Sequence, residues 1–328
     1  MTFRGLTNCH EIGGHLTTVI GLGEDRARVA PAAIPGHTDS GATPRADAGT
    51  GNSGATPAGT PAPPAAARDG IPASARDTDQ FLTVGGVRIR YRTVGSGEPL
   101  LLLHGWGASL DTFAAMADDL KRQFSVTAFD FPGHGGSDLP PATWAVDDFV
   151  DSTLGVLVAL GVERTSVLGH SFGGRVAIKL AAAHPETVDR LVLVDSAGVP
   201  PPQTLERRLK RYASRFANAT GRLGRPGQAV RGAIVRRIAS TDYLDAGPLR
   251  GTFLAIVRED LRPVLAHIKA PTLLVWGESD EDTTLADARS MEKLIPGARL
   301  LVLKNAGHFS YLDQYGRFRL GVIPFLND

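Results

Sequence analysis

Cysteine is almost absent from this chain, since Cys9 is the only one among 328 residues. A single cysteine cannot form an intramolecular disulfide, and its place near the N-terminus excludes a cysteine nucleophile or a cysteine-based metal site from the rest of the chain. The lack of disulfides favours a reducing compartment, so we expect the protein to be cytoplasmic.

Long apolar runs are missing as well. No stretch approaches the roughly eighteen apolar residues of a transmembrane helix, and the N-terminus lacks the continuous apolar core of a secretory signal. The formal net charge of +1 provides no global attraction to nucleic acid or to a membrane. Clustered histidines and an H-E-x-x-H motif do not occur, so we expect no metal and no cofactor.

Residues 1–78 lack the composition of a folded core. Residues 26–78 consist mainly of Ala, Pro, Gly, Thr, Ser and Asp, and eight of them are prolines that prevent a helix or sheet from propagating. Such a segment cannot bury enough apolar surface to offset about 1–2 kcal/mol per residue of backbone entropy. We therefore predict a disordered low-complexity extension over residues 1–78 and a folded domain over residues 79–328.

The folded region begins with a hairpin and continues with alternating strands and helices. Residues 81–84 and 87–92 flank Gly85-Gly86, a strong two-residue turn signal. Further strands are predicted at residues 99–103, 125–130, 166–168, 191–195, 271–277 and 300–303, with helices near residues 110–122 and 146–160. This pattern predicts an α/β fold, with a mostly parallel twisted sheet of about eight strands and helices on both faces.

The most informative motif is G-x-S-x-G at residues 169–173. It stands between an apolar strand and an alanine-rich helix, the strand-turn-helix context in which this motif presents a nucleophilic serine. A tight turn holds the serine in a strained backbone conformation, and the helix that follows favours negative charge beside it. Ser171 is therefore the candidate nucleophile of an acyl-transfer or hydrolytic site.

Three further motifs follow strands. The strand ending at Leu103 leads into the glycine-rich loop His104-Gly105-Trp106-Gly107, and the strand at residues 271–277 delivers Asp280 just past its end. A third strand leads to His308. A serine hydroxyl needs a base such as a neutral imidazole, and the imidazole needs a carboxylate to orient it. These needs indicate His308 as the base and Asp280 as the acid.

Residues from about 81 to the C-terminus resemble an α/β-hydrolase of the capped, esterase-like group. The resemblance covers roughly three quarters of the chain and includes a fourth motif, at residues 130–138, in the family's order. It implies the fold predicted above, with the backbone N–H groups of Trp106 and Phe172 as the oxyanion hole. Thr284 stands where similar proteins often have proline, and we expect a looser loop there.

Other residues compete for the catalytic roles. Asp195 ends the strand after the G-x-S-x-G motif, where some members of the fold keep their acid, and Asp282 and Glu278 lie close to Asp280 in sequence. His104 and His170 flank the oxyanion loop and the nucleophile, and the family places them in supporting positions.

The strand and helix alternation stops over residues 198–265, where the resemblance implies a helical cap. Helical patterns occur at residues 204–218, 233–238 and 248–267. Most of their apolar side chains are expected to pack inside the cap. Tyr212 and Phe253 are the larger candidates to line the substrate pocket, together with Trp106.

The predicted cap is strongly basic. Residues 205–237 contain ten Lys and Arg residues against Glu206 alone. A solvated helix face, recruitment of an anionic substrate and peripheral contact with anionic lipid all fit this excess of charge. The sequence leaves the oligomeric state open.

We therefore predict a cofactor-independent serine hydrolase that cleaves a small or medium carboxylic ester, or a related carbonyl substrate, through an acyl-enzyme. One alternative is a C–C bond hydrolase of a ring-cleavage diketone acid, because the turn at residues 195–198 resembles that branch. A second, from a different class, is a non-catalytic ligand-binding receptor. A serine at the elbow argues against the haloalkane dehalogenase and epoxide hydrolase branches, whose nucleophile is aspartate.

Overall fold

A computed structural model of the protein describes residues 79–200, 242 and 246–328. The predicted extension at residues 1–78 lies outside the described residues. So do the first two predicted cap helices, with Tyr212 and the basic residues 207–237.

An eight-stranded sheet forms the centre of the described part of the chain. The strands are β1 (Gln80–Val84), β2 (Val87–Val94), β3 (Glu98–Leu103), β4 (Phe124–Phe129), β5 (Thr165–His170), β6 (Val188–Val194), β7 (Thr272–Gly277) and β8 (Arg299–Leu303). Their spatial order is β1-β2-β4-β3-β5-β6-β7-β8. β2 pairs antiparallel with β1 and β4, and the pairs from β4 to β8 are parallel. The predicted fold class is confirmed.

The hairpin at the start of the sheet follows from its two glycines. Val84 pairs with Val87, so only Gly85 and Gly86 form the turn. Their φ values are 55° and 81°, in the left-handed region that a two-residue hairpin turn requires and that glycine adopts without strain.

Helices cover both faces of the sheet. They are α1 (Ala114–Leu120), α2 (Val146–Ala159), α3 (Phe172–Ala183), α4 (Arg250–Arg258), α5 (Arg262–Leu265), α6 (Leu285–Leu294), α7 (Ser310–Asp313) and α8 (Tyr315–Asn327). Buried side chains of α2, α3 and α6 pack on one face of the sheet, and those of α1 and α8 pack on the other. This layered packing holds the carboxyl ends of the parallel strands at one edge, where loops collect in such folds.

Two predicted helices differ from the structure. Leu110–Phe113 is a short 3₁₀ helix that leads into α1, rather than part of one α-helix. The pattern at residues 248–267 is broken into Gly247–Leu249, α4 and α5, with Glu259 in an extended conformation. Pro263 explains the break, because a proline ring clashes with the carbonyl group four residues earlier in a continuous helix.

A buried ion network joins the hairpin to the loops after β3 and β4. Arg90 contacts Asp79 at 2.6 Å, Asp111 at 2.9 Å and Asp130 at 3.2 Å. Arg92 also pairs with Asp79 and Asp111. We call these five residues the hairpin network. Each of its charges has an opposite charge within hydrogen-bond distance, which offsets the cost of burial.

No helix in the described ranges has both the length and the apolar character that crossing a bilayer requires.

Candidate active site

The G-x-S-x-G motif forms a sharp turn between β5 and α3. Ser171, between the two elements, has φ 51° and ψ −112°, an unusual conformation for a residue with a side chain. The flanking glycines are required by close approach of the backbone. A Cβ atom on Gly169 would lie 2.6 Å from the carbonyl oxygen of Gly173, and one on Gly173 would lie 2.1 Å from that of Leu103. The turn therefore lifts the serine side chain away from the sheet.

The structure brings Ser171, His308 and Asp280 together. Nε2 of His308 lies 3.0 Å from Oγ of Ser171, and Nδ1 lies 2.9 Å from Oδ2 of Asp280. The serine follows β5, the aspartate follows β7 and the histidine follows β8. Parallel pairing places the carboxyl ends of these strands at one edge of the sheet, which is why residues so distant in sequence meet.

The loop that carries Asp280 is well ordered by hydrogen bonds. The N–H groups of Asp282 and Thr283 donate to Oδ1 of Asp280 at 2.9 Å and 3.0 Å. The Thr283 hydroxyl lies 2.8 Å from Oδ2 and 2.9 Å from the carbonyl oxygen of Asp195. Thr283 thus positions the carboxylate, a contact that the sequence analysis did not anticipate.

At Thr284, where a looser loop is expected, the structure shows a hydrogen-bonded helix cap. Thr284 is the N-cap of α6, and its N–H and hydroxyl groups both donate to Asp287, at 2.8 Å and 2.9 Å. This capping box ties down the end of the loop that a proline would otherwise stiffen. A threonine followed three residues later by an acid is the signal that identifies the cap.

Burial and charge act in opposite directions on the ring and the carboxylate. Burial alone would lower the pKa of His308, but the hydrogen bond and charge of Asp280 outweigh it and raise this pKa above 6.5. Burial alone would raise the pKa of Asp280, but the hydrogen bond and charge of His308, with the hydrogen bonds from Thr283, keep it below its usual value. The pair therefore favours an ionised carboxylate beside a ring that gains a proton readily.

Asp195 occupies a different position from Asp280. Its Oδ1 accepts from Gly277 N–H at 2.8 Å, and its Oδ2 accepts from the N–H and hydroxyl of Ser310 at 3.0 Å and 2.5 Å. Complete burial raises its pKa to about 7 despite these bonds. Asp195 therefore joins β7 to the segment just after His308, while the ring nitrogen of His308 contacts Asp280.

The neighbouring histidines are buried beneath the site. In His104, Nδ1 lies 2.8 Å from the carbonyl oxygen of Gly105, and Nε2 accepts from Phe131 N–H at 3.0 Å. In His170, Nε2 lies 2.8 Å from the carbonyl oxygen of His308. Burial is the main reason that the pKa of each lies at about 3, so both rings are neutral near pH 7. They support the backbone of the two loops.

The predicted oxyanion residues border the same cavity as Ser171. α3 begins at Phe172, so the Phe172 N–H belongs to the first turn, which has no intrahelical acceptor. The Trp106 loop approaches closely, because a Cβ atom on Gly105 would lie 3.4 Å from the Cβ atom of Ser171. The Trp106 ring contacts those of Phe172 and Phe253, with centroids 5.6 Å and 5.2 Å apart.

A cavity of about 350 Å³ opens onto the nucleophile. Trp106, Phe253 and Ile256 supply apolar walls, and Ser171 and His308 border it as well. Arg175 also lines the cavity. This arginine is not among the site residues predicted from the sequence. Its position four residues after the nucleophile, near the start of the following helix, could have indicated that it lies near the site.

Asp280, Asp282 and His308 form a group whose side-chain ligand atoms lie within 4.8 Å of one another. A cation there would have to compete with the hydrogen bond between His308 and Asp280. Asp282 is exposed, and its charge raises the pKa of His308.

Comparison with known proteins agrees with this architecture. Residues 98–234 match the sequence model of a family described as alpha/beta hydrolase fold, and residues 257–317 match one described as TAP-like protein. The chain is 30% identical over 273 residues to 2-hydroxymuconate semialdehyde hydrolase of Pseudomonas sp. (strain CF600), covering 78% of this chain and 96% of that protein. The chain belongs to the α/β-hydrolase family. It is a hydrolase.

Two further relatives of this hydrolase broaden the range of chemistry. Pimeloyl-[acyl-carrier protein] methyl ester esterase of Nitrosomonas europaea is 30% identical over 242 residues, covering 69% of this chain and 94% of that protein. The crystal structure of the enol-lactonase from Burkholderia xenovorans LB400 superimposes with a TM-score of 0.61 at 26% identity, covering 76% of this chain and all of that one.

Proposed function

We propose that this hydrolase cleaves a small or medium carboxylic ester, or a related carbonyl compound, through a Ser171-His308-Asp280 triad and an acyl-enzyme. The observation that best supports this proposal is a chain of two contacts. Ser171 Oγ lies 3.0 Å from Nε2 of His308, and Nδ1 of His308 lies 2.9 Å from Oδ2 of Asp280. A cavity of about 350 Å³ beside the serine suits a small-molecule substrate.

In this mechanism Ser171 Oγ attacks the substrate carbonyl carbon while its proton moves to Nε2 of His308. Asp280, on the other ring nitrogen, holds the tautomer whose free nitrogen faces the serine and stabilises the imidazolium that forms. The tetrahedral intermediate collapses as the C–O bond to the alcohol breaks, and His308 donates the proton to the leaving oxygen. Water then repeats the sequence on the acyl-enzyme and releases the acid.

The oxyanion would be held by the N–H groups of Phe172 and Trp106. Both residues border the cavity beside Ser171, and the Phe172 group lies at the positive end of α3. Such preorganised donors act on the charge that develops in the transition state.

C–C bond hydrolysis of a ring-cleavage diketone acid is the second candidate. It is favoured by the likeness to 2-hydroxymuconate semialdehyde hydrolase and by the arginine in the cavity. The same serine, histidine and aspartate would act on a ketone carbonyl, and the C–C bond would break as the leaving carbon takes from His308 the proton that an alcohol oxygen takes in ester cleavage. A non-catalytic receptor is disfavoured, because hydroxyl, imidazole and carboxylate are all in contact.

A covalent serine probe and a substrate panel test the proposal. We expect a fluorophosphonate to label Ser171, and we expect turnover of p-nitrophenyl or methyl esters to exceed that of diketone acids. Ser171→Ala should abolish labelling and lower kcat by roughly 10³-fold or more, because the triad acts as a unit.

Ser152→Ala is the matched control for this variant. Ser152 is a buried serine of α2 whose hydroxyl has no hydrogen-bond partner among the described residues, so its loss should leave turnover intact. Near-wild-type turnover by Ser171→Ala would refute the triad. Ligand binding with neither labelling nor turnover would favour the receptor.

A further inference from the structure

We propose that Arg175 binds a carboxylate group of the substrate, so that this hydrolase prefers acidic half-esters over neutral esters of the same length. The inference deepens the proposed function and rests on it, because it concerns the same cavity.

Arg175 lies on the helix that begins at the nucleophile. It is the fourth residue of α3, whose N-cap is Ser171. The residue is only 6% exposed, and it lines the same cavity as Ser171 and His308. Its guanidinium is thus within reach of a small molecule whose carbonyl group contacts the serine.

Within residues 79–200, 242 and 246–328, the guanidinium has a single hydrogen-bond partner. Nη1 donates to the carbonyl oxygen of Glu259, at the end of α4, at 3.0 Å. The two carboxylates whose charges act on it are engaged elsewhere: Glu259 pairs with Lys179 at 2.5 Å, and Asp260 pairs with Arg262. Asp242 and Asp282 line the same cavity. Among the described residues, no carboxylate forms an ion pair with Arg175.

The nitrogens of Arg175 that do not contact Glu259 are not completely buried, and the residue lines the cavity. Arginine carries five N–H donors, and none of the nitrogens of Arg175 is among the fully buried polar atoms that lack a partner in the described ranges. Burial lowers the pKa of Arg175, partly offset by the charges of Glu259 and Asp260, but a guanidinium stays protonated at any physiological pH.

Burying a protonated guanidinium that forms no ion pair with a carboxylate costs free energy, which is why charged side chains are rarely buried unless they are paired. A substrate carboxylate would remove that cost by accepting two parallel hydrogen bonds from the fork of N–H groups. Because Ser171 and Arg175 line one cavity of about 350 Å³, a short carbon chain would join the scissile carbonyl to the carboxylate.

Matched pairs of methyl esters test the inference. Monomethyl succinate, glutarate and adipate each differ from methyl butanoate, pentanoate and hexanoate by a carboxylate in place of the terminal methyl group. We expect wild-type kcat/KM to favour the half-ester in at least one pair. Arg175→Gln should lower that ratio by roughly ten-fold or more, mainly through a higher KM for the half-ester.

Arg164→Gln is the matched charge control. Arg164 is exposed and precedes β5, at the end of the strand away from Ser171, so its loss changes net charge equally without touching the cavity. It should keep the wild-type ratio. A wild-type enzyme without preference for any half-ester, or a ratio unchanged in Arg175→Gln, would overturn the inference.

A binding measurement separates this inference from the proposed function. Calorimetric titration of Ser171→Ala protein with monomethyl glutarate needs no turnover, and adding Arg175→Gln should weaken binding by roughly ten-fold. Equal affinity in the two proteins overturns the role of Arg175 whatever the catalytic result. Conversely, weakened binding without any esterase activity or serine labelling would remove the proposed function and leave the anion site.

If the Arg175→Gln protein does not fold, the Arg175→Lys variant tests the same role of Arg175. Lysine keeps the charge but loses the two-pronged hydrogen bonding, so the half-ester preference should decrease. A wild-type preference that the lysine variant leaves unchanged would overturn the two-pronged pairing.

Discussion

The hairpin network and the active site are both buried or partly buried groups of charged and polar residues. They differ in whether the charged groups are fully paired within the protein. In the hairpin network, Arg90 contacts three carboxylates and Asp130 also accepts from two backbone N–H groups. Ser171 and Arg175 both line the cavity, and Arg175 has one hydrogen-bond partner among the described residues. The first arrangement is complete within the protein, and the second needs a ligand to complete it.

The comparison shows why burial of charge alone does not identify a functional site. Asp130 and Asp195 are fully buried acids whose pKa values are raised by burial, and both serve to hold loops in place. Asp280 is buried too, but it contacts a histidine that in turn contacts a hydroxyl. The chain of contacts leading to a cavity is what distinguishes the reactive group from the structural one.

The largest change in turnover is expected when Asp280 and Asp195, the two acids beside the sheet, are compared as asparagine variants. Asp280→Asn should lower kcat by roughly 10³- to 10⁴-fold with little change in Tm, because the ring loses its orienting carboxylate. Asp195→Asn should act mainly on stability, by about 1–3 kcal/mol, because an amide N–H₂ group would face the donors of Gly277 or Ser310.

Steady-state kinetics and thermal unfolding of the two variants measure this difference. A loss of turnover in Asp195→Asn equal to that in Asp280→Asn, at unchanged Tm, would assign the acid role to Asp195.

An intermediate effect is expected where the hairpin network is broken. Arg90→Met would leave Asp130 without its cation, with Arg92 alone to pair with Asp79 and Asp111, and should lower the free energy of unfolding by about 3 kcal/mol. Arg319→Met is the matched control, since the pair of Arg319 with Asp119 is exposed and should contribute below about 1 kcal/mol.

Urea unfolding followed by circular dichroism compares these two variants. Equal losses in both would show that the hairpin network stabilises the fold no more than a surface pair does.

The smallest expected effect concerns the pH dependence of the active site. His308 must be neutral to accept the serine proton, so kcat/KM should fall as pH decreases through its pKa, with a midpoint above 6.5 because Asp280 and other carboxylates stabilise the imidazolium. Asp282→Asn removes one of these charges and should move the midpoint to lower pH, by a few tenths of a unit at low salt.

Glu278→Gln is the control for the pH profile. Glu278 is also exposed on the loop after β7, and its carboxylate makes no hydrogen bond to His308 among the described contacts, so the midpoint should stay in place. A shift to higher pH in Asp282→Asn would contradict the electrostatic account.

Much of the fold was predictable because it depends on short-range patterns. Gly85-Gly86 predicts the hairpin, continuous apolar runs predict buried parallel strands, and G-x-S-x-G between a strand and a helix predicts the sharp turn at Ser171. The break in the helix before Pro263 was not predicted, although the clash of a proline ring with the carbonyl group four residues earlier accounts for it. The roles of Ser171, His308 and Asp280 stay predictions until the kinetic experiments test them.

The local conformations, the class of fold and the kinds of chemical group available all follow from the order of residues along the chain, because helix, strand and turn preferences act over a few residues. Only the tertiary structure decided which of several acids contacts His308, and that Arg175 borders the cavity while the nearby carboxylates pair with other cations. The physical reason is that these contacts join residues from different strand ends and helices, whose distances depend on the order of strands in the sheet and on packing between layers.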